Sequence, residues 1–175
     1  MNPKIIFTFL ENESIRYCHW KSNEHLEEGL SGLTDVDVLI APRDIERVRD
    51  ILSSQLWLHV VSTPRLTGIE DWLFYDGENN KRYHIHLHTF IPVGGTVTKI
   101  FTLPVNTESM LDNTSVCKGV QVINPVTEYK LLVLRICLKA SLRNVLAYYL
   151  KGRPLLPENI QKEFDWLQKC MSDTE

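Results

Sequence analysis

A chain of 175 residues, 43% hydrophobic and 23% charged, can bury a core without disulfide or metal staples and is too apolar for a disordered tail. Its 19 basic and 22 acidic residues are mixed along the chain and leave a formal net charge of -3, which excludes a global electrostatic draw towards nucleic acid or an anionic membrane. Cys18, Cys117, Cys137 and Cys170 form no CxxC pair, a pattern of reduced structural thiols that points to the cytoplasm.

The chain opens on a short apolar patch at residues 5–10, with neither the basic lead nor the cleavage site of a signal peptide, and this predicts a helix. No apolar run approaches the roughly 20 residues of a membrane span. Residues 15–20 (IRYCHW) mix β-branched and aromatic types and predict a short strand. SNEHLEEGL follows as a helix with Ser22 as its N-cap. After Ser31-Gly32, TDVDVLIAP alternates polar and apolar residues until Pro42 ends it. This predicts a strand with Asp35 and Asp37 on one face and Val36, Val38 and Ile40 on the other.

Residues 43–53 place Ile45, Val48, Ile51 and Leu52 on one helical stripe, and WLHVVS reads as the next strand. DWLFYD (71–76) and RYHIHLHTF (82–90), separated by the turn-rich GENN, predict a hairpin. Residues 96–103 fit a strand and a short helix equally well. SVCKGVQVINP predicts a small hairpin ending at Pro125. Helices are expected over residues 126–149, closed by Gly152-Arg153-Pro154, and over about 157–171. The expected architecture is a single α+β domain over residues 1–175. A small mixed sheet flanked by helices occupies about 1–124, and a helical part occupies about 125–175.

The sharpest chemical feature is the DVD of residues 35–37. Two carboxylates two positions apart on a strand point the same way, with Cα atoms roughly 7 Å apart, and both can reach one hard cation. Magnesium suits such a pair because it takes oxygen ligands and completes its shell with waters and phosphates. A solvated edge-strand face is the plain alternative. Here the chain resembles the nucleotidyltransferase superfamily related to polymerase β. That superfamily's signature is a Gly-Ser or Gly-Gly pair at a helix start, a spacer, and an acid–apolar–acid–apolar strand. The corresponding residues are Lys21-Ser22, spacer residues 23–34, and Asp35-Val36-Asp37-Val38. The stretch YCHWKSNEHLEEGLSGLTDVDVLI also looks like a subgroup of nucleotidyltransferase-like proteins found beside bacterial surface-polysaccharide genes.

The resemblance implies a nucleotidyltransferase-type sheet, a nucleoside triphosphate as substrate, and Mg2+ or Mn2+ held by Asp35 and Asp37. Ser22 would bind the β- and γ-phosphates. Two positions depart from the family pattern. Lys21 replaces the glycine of the pair, where it either pairs with phosphate or is a solvated lysine. The third acid that the superfamily often carries on a neighbouring strand is matched by histidine. His84, His86 and His88 share one face of RYHIHLHTF, opposite Tyr83, Ile85 and Leu87. His86 is the first candidate for general base towards an acceptor hydroxyl. A hydrogen-bonded polar sheet face and a zinc site are the other readings of the row, the 7 Å spacing suiting two ligands from one strand.

Trp20 either stacks on a base or joins the core. His19, His25 and His59 read as structural or surface residues, and Arg135, Lys139 and Arg143 as a basic helix face. The functional expectation is transfer of a nucleoside monophosphate from a triphosphate such as ATP to a small, sugar-linked acceptor, without nucleic acid or membrane partners. One rival is a module of the same fold that binds nucleotide or a partner without turnover. A further rival is a metallohydrolase using the histidine strand with Asp71 or Asp76.

Overall fold

The computed structural model describes residues 4–61, 68–93, 101–139, 150 and 156–172. The chain divides into two compact units, residues 1–91 with 102–124, and residues 92–101 with 125–175. The first begins with α1 (Lys4–Asn12), β1 (Tyr17–His19), a 3-10 turn at Asn23–His25, and α2 (Leu26–Leu30). These are followed by β2 (Val36–Ile40), a second 3-10 turn at Pro42–Asp44, α3 (Ile45–Ser54), β3 (Leu58–Val60), β4 (Ile69–Asp76) and β5 (Lys81–His88). Two-residue strands β6 (Pro92–Val93) and β7 (Phe101–Thr102) pair with each other. Then come α4 (Thr107–Leu111), β8 (Thr114–Cys117) and β9 (Val120–Ile123). The second unit contributes α5 (Pro125–Lys139) and α6 (Glu158–Ser172).

Seven strands form one mixed sheet in the order β3-β4-β5-β2-β1-β9-β8. β2 lies at its centre, antiparallel to β1 and parallel to β5, while β4 and β5 form the expected antiparallel hairpin. With the helices, this is an α+β architecture. Period-two alternation divides the sheet's residues between its faces. On one face Tyr17, Val36, Val38, Ile40, Tyr83, Ile85, Leu87, Val120 and Val122 join Ile6, Phe7 and Leu10 of α1 and Val48 and Leu52 of α3 in a continuous buried core. Fully burying side chains of this size stabilises by about 1.5–3 kcal/mol each, which is why the apolar stripes of α1 and α3 both turn to this face.

A buried carboxylate fastens α3 to the hairpin. Glu70 accepts from Arg49 Nε at 3.0 Å and from Trp72 Nε1 at 3.1 Å. His59, expected to be structural, stacks on Trp72 with ring centroids 4.9 Å apart. Two expectations need adjusting. Ser22 does not cap a helix through its hydroxyl: it adopts the left-handed conformation (φ 56°, ψ 48°) and leads into the 3-10 turn. The short helix α4 was not anticipated, its only local signal being Asn106, whose side chain accepts from Glu108 N as an N-cap. The expected helix over 126–149 is seen as α5 up to Lys139; residues 140–149 and most of the undecided 96–103 stretch lie outside the described residues.

Among the described residues, no helix is long and apolar enough to cross a membrane.

Candidate functional site

The sheet face opposite the α1–α3 core carries the chemistry. The parallel pairing of β2 with β5 sets Asp37 beside His86 and Leu39 beside His88, and the hairpin sets Asp71 beside His86. Asp37, His86 and Asp71 therefore form one row across three adjacent strands, about 4.8 Å apart in the pairing direction. Asp35 precedes β2, next to His84 at the open end of the same face.

Asp37 is buried and fully engaged. Its Oδ2 accepts from Lys21 Nζ at 2.7 Å, and its Oδ1 accepts from His88 Nε2 at 3.0 Å with His86 Nδ1 3.5 Å away. Burial alone would raise this carboxyl's pKa. The neighbouring His86 and His88 and the charge of Lys21 outweigh burial and hold it well below the usual carboxylate range. Lys21 thus spans the position between the open end of the site and its buried aspartate, at 27% side-chain exposure.

His86 lies between three carboxylates. Its Nε2 is 3.0 Å from Asp71 Oδ1, and its Nδ1 is 3.5 Å from both Asp35 Oδ2 and Asp37 Oδ1. Burial pulls its pKa down, but Asp37, then Asp35 and Asp71, pull it up by more, leaving it above the ordinary histidine value. His84 repeats the pattern one row out: Nε2 is 3.1 Å from Asp71 Oδ1 and Nδ1 3.5 Å from Asp35 Oδ1. His88 is buried, its pKa lowered by desolvation against the pull of Asp37. Its Nδ1 has no hydrogen-bond partner, and its ring meets Trp20 edge-on at 5.2 Å. Trp20, 2% exposed, is a core residue behind the site.

The three histidines have different partners. His84 and His86 share Asp71, whereas His88 is committed to Asp37. Sequence reasoning saw Asp71 only as one acid within reach of the histidine strand. Its register was nevertheless readable: treating GENN as a four-residue loop pairs Asp76 with Lys81 and therefore Asp71 with His86. Asn23, whose Oδ1 is 2.5 Å from His19 Nδ1, was also missed. His19 is buried on β1 and pairs with Val38, and it feels the charges of Asp37 and Lys21.

His19 carries a pH prediction. Burial lowers its pKa below 6.5, against the pull of Asn23, so folding favours the neutral ring. Its contribution to stability is present above pH 6.5 and is lost as pH falls through the lowered folded value. Melting of the chelator-treated protein is expected to drop between pH 7 and pH 5, and His19→Gln is expected to flatten that limb. Parallel curves for the two proteins would contradict the assignment.

The arrangement can hold a divalent cation. Asp35, His84 and His86 present ligand atoms within 4.8 Å of one another, as do Asp37, His86 and His88. The carboxylates fit a hard ion such as Mg2+, and the imidazoles extend the set to Mn2+ and zinc. Lys21 follows β1 and meets Asp37, and Ser22 leads from it into the 3-10 turn, while Arg143 lies outside the described residues. Comparison of the chain with protein-family models, curated proteins and solved structures finds no match.

Proposed function

We propose that this chain is a metal-dependent nucleotidyltransferase, moving a nucleoside monophosphate from a nucleoside triphosphate to a small, sugar-linked acceptor. The observation that carries the reading is that His86 Nδ1 lies 3.5 Å from both Asp35 and Asp37 on the sheet's polar face, with Lys21 on the inner acid, Asp37. The spacing of Lys21-Ser22 to this pair matches the polymerase β-like pattern, and the mixed sheet accommodates a fold of that type.

In this reading Asp35 and Asp37 hold Mg2+ or Mn2+, which when bound neutralises charge on the triphosphate. Ser22 and Lys21 orient the phosphates. The acceptor oxygen attacks the α-phosphorus, the bond to the β-phosphate oxygen breaks, and pyrophosphate leaves. The acceptor's proton passes to His86 Nδ1, whose far nitrogen is held by Asp71 at 3.0 Å, so the imidazole is oriented before substrate arrives. A cytoplasmic setting follows from the substrate.

One observation favours the second reading, a module that binds nucleotide without turnover: Lys21 Nζ already neutralises Asp37 at 2.7 Å, as a metal would. Pyrophosphate release separates the two. With each triphosphate, Mg2+ and a panel of sugars and sugar phosphates, the wild type is expected to release pyrophosphate, and the Asp35→Asn, Asp37→Asn double variant is expected to lose at least about a hundredfold, the scale of a lost charge-stabilising group. Nucleotide binding without release across the panel would favour the module.

A further inference from the structure

Among the described residues, a further specific constellation is the set of lone pairs facing Asp35. Asp71 Oδ1 lies 3.1 Å from His84 Nε2 and 3.0 Å from His86 Nε2. A carboxylate only accepts hydrogen bonds, so in the neutral rings both Nε2 atoms carry the proton and both Nδ1 atoms are left with lone pairs. Those Nδ1 atoms point at Asp35, each 3.5 Å from one of its oxygens. Three acceptors thus converge with no proton between them, at a separation beyond the 2.7–3.2 Å range of a good hydrogen bond.

The separation fits a shared ion. Two donors about 2.1 Å from one tetrahedral zinc ion stand about 3.4 Å apart. We infer that Asp35 with His84 Nδ1 and His86 Nδ1 forms a two-histidine, one-carboxylate site for a borderline divalent cation, zinc foremost. Asp71 is its positioning residue, fixing the tautomer and direction of both imidazoles from behind, as carboxylates do behind metal-bound histidines. His84 and His86 are 29% and 21% exposed and Asp35 50%, which leaves the fourth position open to water or substrate. Asp37 is left out of this set because Lys21 and His88 each donate to one of its oxygens, which makes it the less accessible of the two acids.

The site shares Asp35 and His86 with the transferase reading but does not require nucleotidyl transfer; when it is filled, His86 is a ligand and no longer a free base.

The test uses Co2+ as a spectroscopic stand-in, titrated into the chelator-treated full chain without nucleotide, followed by Zn2+ competition. One equivalent is expected to bind with the strong visible absorption of a four-coordinate site and to be displaced by zinc. His84→Ala is expected to weaken binding at least a hundredfold, and Asp71→Asn 10- to 100-fold, with circular dichroism melting confirming that both fold. The milder His84→Gln serves if the alanine variant does not. Absence of binding by the wild type, or wild-type affinity in the His84 variants or Asp71→Asn, overturns the site. Cobalt binding without pyrophosphate release leaves this inference standing and counts against the transferase reading; release without cobalt binding does the reverse.

Discussion

Asp37→Ala is expected to lower stability by about 3 kcal/mol and to abolish metal-dependent nucleotide chemistry at once. The structural loss follows from what the carboxylate answers: Lys21 Nζ at 2.7 Å and His88 Nε2 at 3.0 Å lose their acceptor, and His88 is buried with its ring edge-on to Trp20. Removing one partner of a buried ion pair costs about 3–5 kcal/mol, because the other charge stays desolvated; the low end applies here because Lys21 reaches some water. Asp37→Asn keeps the shape and one acceptor oxygen and is expected to lose about half as much stability, yet nearly all activity. Chemical denaturation of both variants checks the ordering. Equal stabilities for wild type and Asp37→Ala would mean that the Lys21–Asp37–His88 chain contributes nothing to folding.

The second large effect is expected at Gly32, which shapes the turn that delivers Asp35. Its φ of +81° lies in the left-handed region, and a Cβ there would sit 2.8 Å from the Arg82 carbonyl oxygen and 3.1 Å from the Tyr83 ring. The backbone conformation costs an L-residue about 1–2 kcal/mol and the overlap adds about 1–3 kcal/mol, because neither a strand carbonyl nor a buried ring can retreat freely. Gly32→Ala is therefore expected to destabilise by about 2–5 kcal/mol. It should also weaken metal binding in whatever fraction still folds, since Asp35 lies three residues downstream. A denaturation midpoint within experimental scatter of wild type would show that the turn relaxes around the methyl group.

Much of the fold was legible because it is written in short periods. The alternation of residues 35–40 and 83–88 identified which side chains face the core, and the stripe of Ile45, Val48, Ile51 and Leu52 identified α3. The parallel neighbourship of β2 and β5 was not legible: it joins segments almost fifty residues apart, and no local pattern encodes it. That pairing sets His86 beside Asp37, so the candidate residues were readable individually while their grouping was not. Ser22 shows the limit of propensity: serine at a helix start suggests a cap, but the chain here turns through a left-handed residue instead. Lys21 could be read in the sequence only as a cation near the site. Its partner, Asp37, lies 16 residues away on the neighbouring strand and emerges from the antiparallel β1–β2 pairing.

Both readings of the site, catalytic and purely binding, require that it take a metal–nucleotide complex through Asp35, the half-exposed acid at its open end. Calorimetric titration of ATP into wild type and Asp35→Asn, with Mg2+ or Mn2+ and then with chelator, addresses that requirement directly. The account predicts metal-dependent binding by the wild type that weakens at least about a hundredfold in Asp35→Asn and disappears with chelator, a loss of about 2.7 kcal/mol. Equal binding by the two proteins, or no binding by the wild type with any nucleoside triphosphate, would contradict it.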